Sequence, residues 1–334
     1  MNNETEFHAY MLRRDEQGMR GSVENLSLKQ LPEGDVIVRV LYSGVNYKDG
    51  LASIPEGKIV RRYPFIPGID LAGTVVHSDH PDYREGDSVL CTGYELGVSH
   101  EGGFSQYARV KGEWLFPLPQ GLSLRDAMAI GTAGFTAALS IDGLLRNGLE
   151  QGQGPVLVTG ATGGVGSFAV SILSQLGYEV TASTGKVSQT DWLLKLGAHK
   201  VISREEVVNE VSKGAISGER WAAVVDPVGG NQLSSILKCV KYGGSVAVSG
   251  MTGGGAFEST VFPFILRGIS LLGIDSVYCP MTYRREIWSK LADIWKPASV
   301  LREGITEYGL MDLPEVLNTI LQGGAVGRSV ITLQ

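Results

Sequence analysis

The sequence predicts an α/β protein built from a compact, barrel-like β domain and a doubly wound parallel sheet. The first third of its 334 residues carries short runs of alternating β-branched residues separated by turn signals, the mark of a small β domain. Between residues 155 and 275, wholly apolar runs alternate with stretches of helical spacing, which is how parallel strands covered on both faces read. A chain of this length also exceeds what one hydrophobic core usually serves, so two domains are expected.

Each element has its own reason. Residues 35–42 (DVIVRVLY) and 70–77 (DLAGTVVH) alternate as strands, and Glu85-Gly86-Asp87 turns the chain into a third strand at 88–90. The stretch 101–107 (EGGFSQY) reads as a hairpin, and residues 117–121 close the region. At Ser123 the period changes: 123–130 is a capped apolar helix, and 132–145 continues in helical spacing. Strands follow at 155–159 (PVLVT), 178–183, 200–203, 221–226 (WAAVVD), 244–249 and 270–275, with helices at 164–176, 189–196 and 231–240. Six strands in this order fit a doubly wound dinucleotide fold. Beyond Asp275 the alternation stops, and helices at 284–294 and 313–321 lead to a last strand at 329–333.

Composition closes off several functions. With 35 acidic against 29 basic residues the net charge is −6, which leaves no basic footprint for nucleic acid. No run reads as apolar over the length that a membrane crossing requires, and residues 1–14 lack the apolar core of a secretory signal. Cys91, Cys239 and Cys279 are too scattered for a disulfide framework or a metal site. A soluble protein of the reducing cytoplasm is expected, acting on a small molecule.

The strongest local motif is Val158-Thr159-Gly160-Ala161-Thr162-Gly163-Gly164-Val165-Gly166, which leaves an apolar strand and enters an apolar helix. In that setting glycines allow a tight turn and let backbone N–H groups approach a pyrophosphate, while the helix N-terminus adds unpaired donors and a favourable dipole. Ala161 stands at the first position of the usual GxGxxG; Thr162, Gly163, Gly164 and Val165 are the cofactor contacts this predicts. The end of the second strand bears on which dinucleotide is bound. An NAD site usually carries Asp or Glu about 20 residues beyond the glycines, to hold the ribose 2′-hydroxyl. Here Ser183, 17 residues after Gly166, opens Ser183-Thr184-Gly185-Lys186 with no carboxylate. Hydroxyls and a cation suit a 2′-phosphate, and Arg204 after the third strand adds a second cation. NADPH is favoured, with NADH left open.

Four segments occur in the order found in medium-chain dehydrogenases/reductases: Asn46-Tyr47-Lys48-Asp49, Pro67-Gly68-Ile69-Asp70-Leu71-Ala72-Gly73, Gly131-Thr132-Ala133-Gly134-Phe135-Thr136 and the glycine-rich turn. With Ala108-Arg109-Val110-Lys111-Gly112, Pro263-Phe264-Ile265-Leu266-Arg267 and Asp275-Ser276-Val277, the chain resembles the YhdH/YhfP subfamily of quinone oxidoreductases, which includes acrylyl-CoA reductases. The resemblance runs almost from end to end. It implies a GroES-like β domain of residues 1–127 and 276–334, a Rossmann domain of residues 128–275 inserted into it, an active site in the cleft between them, and a homodimer. It also implies that Tyr47, Thr132, Ile265 and Ser276 contact the cofactor, with Asn46 and Tyr47 beside the nicotinamide.

Zinc-containing relatives place Cys where Asn46 stands, His-Glu where Ile69-Asp70 stand, and Cys near Thr132. Asn46, Ile69 and Thr132 cannot furnish a tetrahedral set of thiolate, imidazole and carboxylate ligands, so a zinc-free site is expected. Hydride addition to a conjugated acceptor is then favoured: a quinone, an enone or an enoyl-CoA such as acrylyl-CoA. Charge spreads into an enolate or hydroquinone, and the protein supplies orientation and hydrogen-bond donors. Asn46 brings an amide donor and Tyr47 a phenol. Asp70, in the apolar run 66–72, needs a partner when buried; it either orients Asn46 or a water, or is a structural acid bonded to backbone or Lys48. The five histidines show no ligand spacing and read as solvated loop residues, Ile265 taken alone reads as core, and 252–255 reads as a mobile loop or a turn. A CoA ester calls for cations, for which Lys58, Arg61, Arg62 and Arg284 are the candidates. A zinc-independent alcohol or aldehyde reductase and a non-catalytic NADPH-binding sensor are the competing readings.

Overall fold

β1 (Glu6–Asp15) and β2 (Gly18–Ser27) open the chain as a two-stranded antiparallel sheet. β3 (Val36–Gly44) leads into α1 (Tyr47–Ala52), and β4 (Asp70–Ser78), β5 (Ser88–Thr92), β6 (Tyr107–Val110), β7 (Phe116–Pro117) and α2 (Leu124–Arg146) follow. Next, β8 (Val156–Val158), β9 (Val180–Thr184), β10 (Lys200–Ser203), β11 (Trp221–Asp226), β12 (Val240–Val248) and β13 (Ser270–Gly273) alternate with helices. Those helices are α3 (Gly164–Gln175), α4 (Thr190–Lys195), α5 (Arg204–Asn209), α6 (Gly230–Leu237) and α7 (Phe262–Arg267). The last elements are α8 (Met281–Ala292), α9 (Ala298–Glu303), β14 (Ile305–Tyr308), α10 (Leu313–Leu321) and β15 (Arg328–Thr332). This computed structural model describes residues 4–16, 18–209, 211 and 213–334.

The chain divides into two units: Met1–Thr132 with Val277–Ala292 and Gly304–Gln334, and Ala133–Ser276 with Asp293–Glu303. The first break falls after Thr132 rather than at 127. Residues 293–303, expected in the first domain, sit with the second, because α9 packs on α3: the Ser171 and Ser299 hydroxyls are 2.8 Å apart, and Gln175 donates to the Ile294 carbonyl at 3.0 Å.

In the first unit the sheet runs β14-β15-β3-β4-β5-β7, with β6 also paired to β3. Val36, Val38 and Val40 of β3 are fully buried at a period of two, as a strand with one face on a core requires. β1 is buried on both faces: Phe7, Ala9 and Met11 join one cluster and Tyr10 and Leu12 another. Residues 101–106 do not form the expected hairpin; Ser105 bridges Ala9 instead. Gly102 serves close approach rather than a turn, since a Cβ there would lie 2.3 Å from the Gly68 carbonyl oxygen.

The second unit holds a sheet of order β10-β9-β8-β11-β12-β13, parallel throughout, which is the doubly wound dinucleotide arrangement. β8 and β11 are buried along their whole length, as their apolar sequences require. α2 is also 23 residues long and apolar enough to match a membrane crossing in length and composition, which the expectation of no such run missed. Its apolar window is 83% buried inside the protein, and Gly131 breaks it at φ 49°, ψ −158°. Its apolarity is that of a core helix.

Candidate active site

The buried polar centre of the first unit is assembled by the ends of β3, β4 and β15. Asn46 caps α1: its backbone N–H donates to Asp49 Oδ2 at 2.7 Å, and the Ile69 N–H donates to Asp49 Oδ1 at 3.0 Å. Asp70 begins β4 and is wholly buried. Its Oδ2 accepts from Asn46 Nδ2 at 2.8 Å and the Thr132 backbone N–H at 2.9 Å, and its Oδ1 from Thr132 Oγ1 at 2.6 Å. Arg328, the first residue of β15, places Nη2 at 3.8 Å from Asp70 Oδ2. Its Nη1 donates to the Val45 carbonyl at 2.5 Å and to Asn46 Oδ1 at 3.2 Å, and its Nε to the Ala129 carbonyl at 2.9 Å. Gly131 makes the meeting possible. Its left-handed backbone turns the Thr132 N–H onto the carboxylate, and a Cβ there would sit 2.5 Å from Asp70 Oδ2.

Burial dominates the electrostatics. It raises Asp49 to about 7, against its backbone donors and with the Asp70 charge adding to the rise. Burial also raises Asp70, against Arg328 and the Thr132 bonds, and lowers Arg328. Both members of the pair move toward neutrality, so desolvation outweighs their mutual attraction.

The network answers the two readings of Asp70 together: it orients Asn46 and also holds backbone at Thr132, and it makes no bond to Lys48. Asn46 itself is committed. Its amide hydrogens point at Asp70 and at the Gly44 carbonyl (3.3 Å), and Arg328 covers its oxygen. Tyr47, half-buried at the first position of α1, has a hydroxyl without a partner among the described residues. Asp49 and Arg328 were not anticipated as site residues. A carboxylate three residues after a capping Asn and an arginine opening an apolar strand were the available signals.

In the second unit the glycine-rich turn has the form its motif predicts. Gly160 is left-handed at φ 53°, and a Cβ on Gly166 would lie 2.3 Å from the Gly160 carbonyl oxygen, so α3 starts tight against the strand end. Gly163, Gly164 and Val165 stay partly exposed. Thr162 and Thr184 hydroxyls are 3.2 Å apart, and the Lys186 N–H donates to Thr184 Oγ1 at 3.0 Å. Arg204 lies over Gly185, where a Cβ would meet its guanidinium at 3.0 Å. Burial, and then the Arg204 charge, push Lys186 below the ordinary lysine range. The cradle and its two cations therefore fit a dinucleotide with a 2′-phosphate. Ser183 is turned inward, its hydroxyl donating to the Ser203 carbonyl at 3.5 Å. Ser276 is partly exposed at the end of this unit's main segment.

Three readings need correction. Ile265 is not core but 68% exposed on α7. His100 is not solvated: it is buried, its ring nitrogens 3.1 Å from the Glu33 and Glu101 carbonyls. Arg284 is not an open cation for a CoA ester: it is fully buried and donates to the Thr92 and Val277 carbonyls.

Among the described residues no group of three or more His, Cys, Asp or Glu side chains is placed to hold a metal ion. At the positions that the resemblance aligns with zinc ligands, Asn46 is an amide committed at both ends and Asp70 a carboxylate already accepting three hydrogen bonds, with the buried Arg328 guanidinium beside them. That donor set does not fit zinc.

Residues 32–120 match the family described as alcohol dehydrogenase GroES-like domain, and residues 164–293 the family described as zinc-binding dehydrogenase. The chain is 49% identical over 328 residues to acrylyl-CoA reductase AcuI of Ruegeria pomeroyi, covering 97% of this chain and 98% of that one. The crystal structure of Bacillus subtilis YhfP with NAD bound aligns with a TM-score of 0.95 at 52% identity, covering 99% of this chain and 100% of that one. The YhdH oxidoreductase of Salmonella enterica in complex with NADP aligns at 0.94 and 43% identity, covering 98% and 100%.

Proposed function

The chain belongs to the medium-chain dehydrogenase/reductase family and is an NAD(P)H-dependent oxidoreductase, and from that premise we propose that it reduces a conjugated carbonyl without a metal. The acceptor class is quinone, enone or enoyl-CoA such as acrylyl-CoA, and NADPH is preferred over NADH. The observation that carries this is the Asn46–Asp70–Thr132–Arg328 network, whose polar groups are committed to one another and do not make a zinc ligand set.

NADPH, when bound, supplies a hydride. The backbone of Thr162, Gly163, Gly164 and Val165 holds the pyrophosphate, and Thr184, Gly185, Lys186 and Arg204 meet the 2′-phosphate, with Ser183 backing them from the strand. Tyr47, Thr132, Ile265 and Ser276 complete the contacts in this reading. Tyr47 donates its uncommitted hydroxyl to the acceptor oxygen as charge develops there. Asn46 and Asp70 are positioning residues: they fix the turn from β3 into α1 and so the ring of Tyr47. Delocalisation carries the rest of the charge, and the α-proton comes from solvent.

We place the protein in the cytoplasm as a homodimer. Its three cysteines are buried and unpaired, which suits a reducing compartment. β13 is an edge strand, and Leu271 on it and Val261, Phe262 and Leu266 at α7 are exposed apolar side chains, a grouping that a second copy would cover.

The test is isotopic. Deuteride from 4-deuterated NADPH should appear on the β-carbon of an enone or enoyl thioester, with a solvent proton on the α-carbon. Label on the carbonyl carbon would mean an alcohol or aldehyde reductase, and no transfer to any acceptor a sensor protein.

A further inference from the structure

We propose that Arg284 is a positioning residue for hydride transfer: it fastens the chain at Val277, where the first unit resumes, and so holds the adjoining Ser276 for the reacting cofactor. This rests on the reading of the reaction given above and adds a residue to it.

The chain passes from one unit to the other after Thr132, Ser276, Ala292 and Glu303. On the first unit's side, Thr132, Gly304 and Val277 are each bonded to a buried polar residue. Thr132 gives its N–H and its hydroxyl to Asp70. The Gly304 carbonyl accepts the Arg328 backbone N–H at 2.8 Å, packed so closely that a Cβ on Gly327 would lie 2.2 Å from that oxygen. The Val277 carbonyl accepts from Arg284 Nη2 at 3.1 Å and from the Tyr94 N–H at 3.1 Å. Thr132 and Gly304 are thus held by the network around Asp70. Val277 is joined to that network by one rung of sheet. Arg284 Nη1 donates to the Thr92 carbonyl at 2.8 Å and to its hydroxyl at 2.9 Å, and Thr92 ends β5 directly opposite Asp70.

Among the described residues, Arg284 and Arg328 are the only lysines or arginines that are buried. A guanidinium taken out of water is costly unless its donors are met, and both of these meet theirs next to a crossing of the chain. An apolar side chain of the same volume would fill the space at Arg284 but could not hold two carbonyls. The planar fork does so, one nitrogen turned to Thr92 and the other to Val277. Its face lies over the Tyr94 ring, 4.7 Å from the centroid, and that ring stacks on Trp114 at 6.1 Å with the planes 8° apart. Tyr94 is left-handed at φ 55°, uncommon for a residue with a side chain. Such a conformation persists where its surroundings over-determine it. Here the ring is gripped by Arg284 and Trp114, and the N–H by Val277. The end of β5, the turn after it and the first turn of α8 therefore meet at one carbonyl.

The groups that hold the pyrophosphate and the 2′-phosphate in that reading, Thr162–Val165 and Thr184–Lys186 with Arg204, all belong to the second unit. Releasing Val277 leaves them in place. What it frees is Ser276 and the reacting geometry, where a misplacement of about 1 Å can lower a rate about 10²-fold. Arg284 should therefore act on the rate of transfer and hardly on NADPH affinity. A purely structural arginine would lower stability and leave kcat of the folded enzyme as it was.

The test uses Thr92→Val, which removes one acceptor and keeps the shape, together with Arg284→Lys and Arg284→Met. In the cofactor-free protein, hydrogen exchange of the Tyr94 amide should quicken about tenfold or more in Thr92→Val and further in Arg284→Met. The Ile274 amide, which donates to the Val248 carbonyl at 3.0 Å within the second unit, should keep its rate. With a quinone, an enone and acrylyl-CoA offered in turn to the NADPH-saturated enzyme, kcat should fall about tenfold or more while the Kd of NADPH stays within about twofold. The primary isotope effect from 4-deuterated NADPH on kcat should rise as transfer becomes limiting, and Arg284→Lys should recover part of the loss. Native kcat and isotope effect in variants whose Tyr94 amide exchanges faster would make Arg284 structural only and overturn the assignment. An unchanged Tyr94 amide, or NADPH affinity lost in step with kcat, overturns it too. Should Arg284→Met fail to fold, Thr92→Val and Arg284→Lys give the same decision. Should the native enzyme transfer hydride to no acceptor, the reaction as read above fails and the role in transfer with it, while the Tyr94 amide still decides whether Arg284 fastens Val277.

Discussion

Arg328→Met keeps most of the volume of the arginine stem and removes the charge that faces Asp70 at 3.8 Å, together with donors to Val45, Asn46 and Ala129. Asp70 is then a fully buried carboxylate with Asn46 and Thr132 as donors and no cation. Breaking a buried pair from one side costs about 3–5 kcal/mol, less than the sum of the bonds lost, because the surviving acid can take up a proton. That escape sets the pH dependence. Burial already holds Asp70 above the ordinary carboxylate range, with Arg328 opposing; without Arg328 the folded value rises further, while the unfolded value stays near ~3.9. A carboxyl raised in the fold contributes stability that is complete below the unfolded value and is lost as pH rises through the folded one. The difference between variant and native protein should therefore be smallest at acid pH, where only the donors to Val45, Asn46 and Ala129 are lost, and widen toward its full ~3–5 kcal/mol as pH rises and the buried acid of the variant ionises without its cation. Urea unfolding at pH 5, 6.5 and 8, followed by fluorescence, measures it, and adding Asp70→Asn should restore part of the loss. A difference below about 1 kcal/mol, or one equal at pH 5 and 8, would refute the idea that the guanidinium compensates Asp70.

Lys186→Glu should weaken NADPH by roughly 1.5–3 kcal/mol and NADH little, read from fluorescence quenching; equal affinities in the native protein would remove the 2′-phosphate assignment. Tyr47→Phe should lower kcat/KM by about 10²-fold, as for loss of one oxyanion donor, with NADPH affinity nearly kept, and steady-state kinetics showing native activity would exclude the hydroxyl. Elemental analysis of the dialysed protein should find no stoichiometric zinc, and chelators should leave activity intact. One retained zinc per chain would mean that Asn46, Ile69 and Thr132 do not occupy the ligand positions.

The parallel sheet was legible because its central strands are buried on both faces and must be apolar throughout, as PVLVT and WAAVVD are. β2 was not: of its ten residues only Leu26 is buried, and its place is set by pairing with β1 rather than by its own pattern. Gly102 and Gly103 read as a turn because glycine serves turns and close approaches alike, and the sequence around them does not say which. Asp70 stood out as an acid in an apolar run, and Asn46 and Tyr47 through a resemblance. Arg328 is 282 positions from Asn46. No local pattern links an arginine to acceptors brought to it by sheet pairing, so this half of the network appeared only in three dimensions.

β15 lies between β14 and β3, antiparallel to the strand that leads to Asn46. During synthesis the parallel sheet has all its strands once residue 273 has been made. β6 covers Val36–Arg39 of β3 early, but in the sheet of the other unit the end of β3 at Tyr42–Gly44 stays open until residue 332 has followed. Until then Asp70 is a carboxylate without its guanidinium, and the end of β3 beside it offers unpaired backbone to any chain nearby. Chaperone dependence and aggregation during expression should thus concentrate in the unit whose first strands wait longest, as domains that close through distant segments fold late.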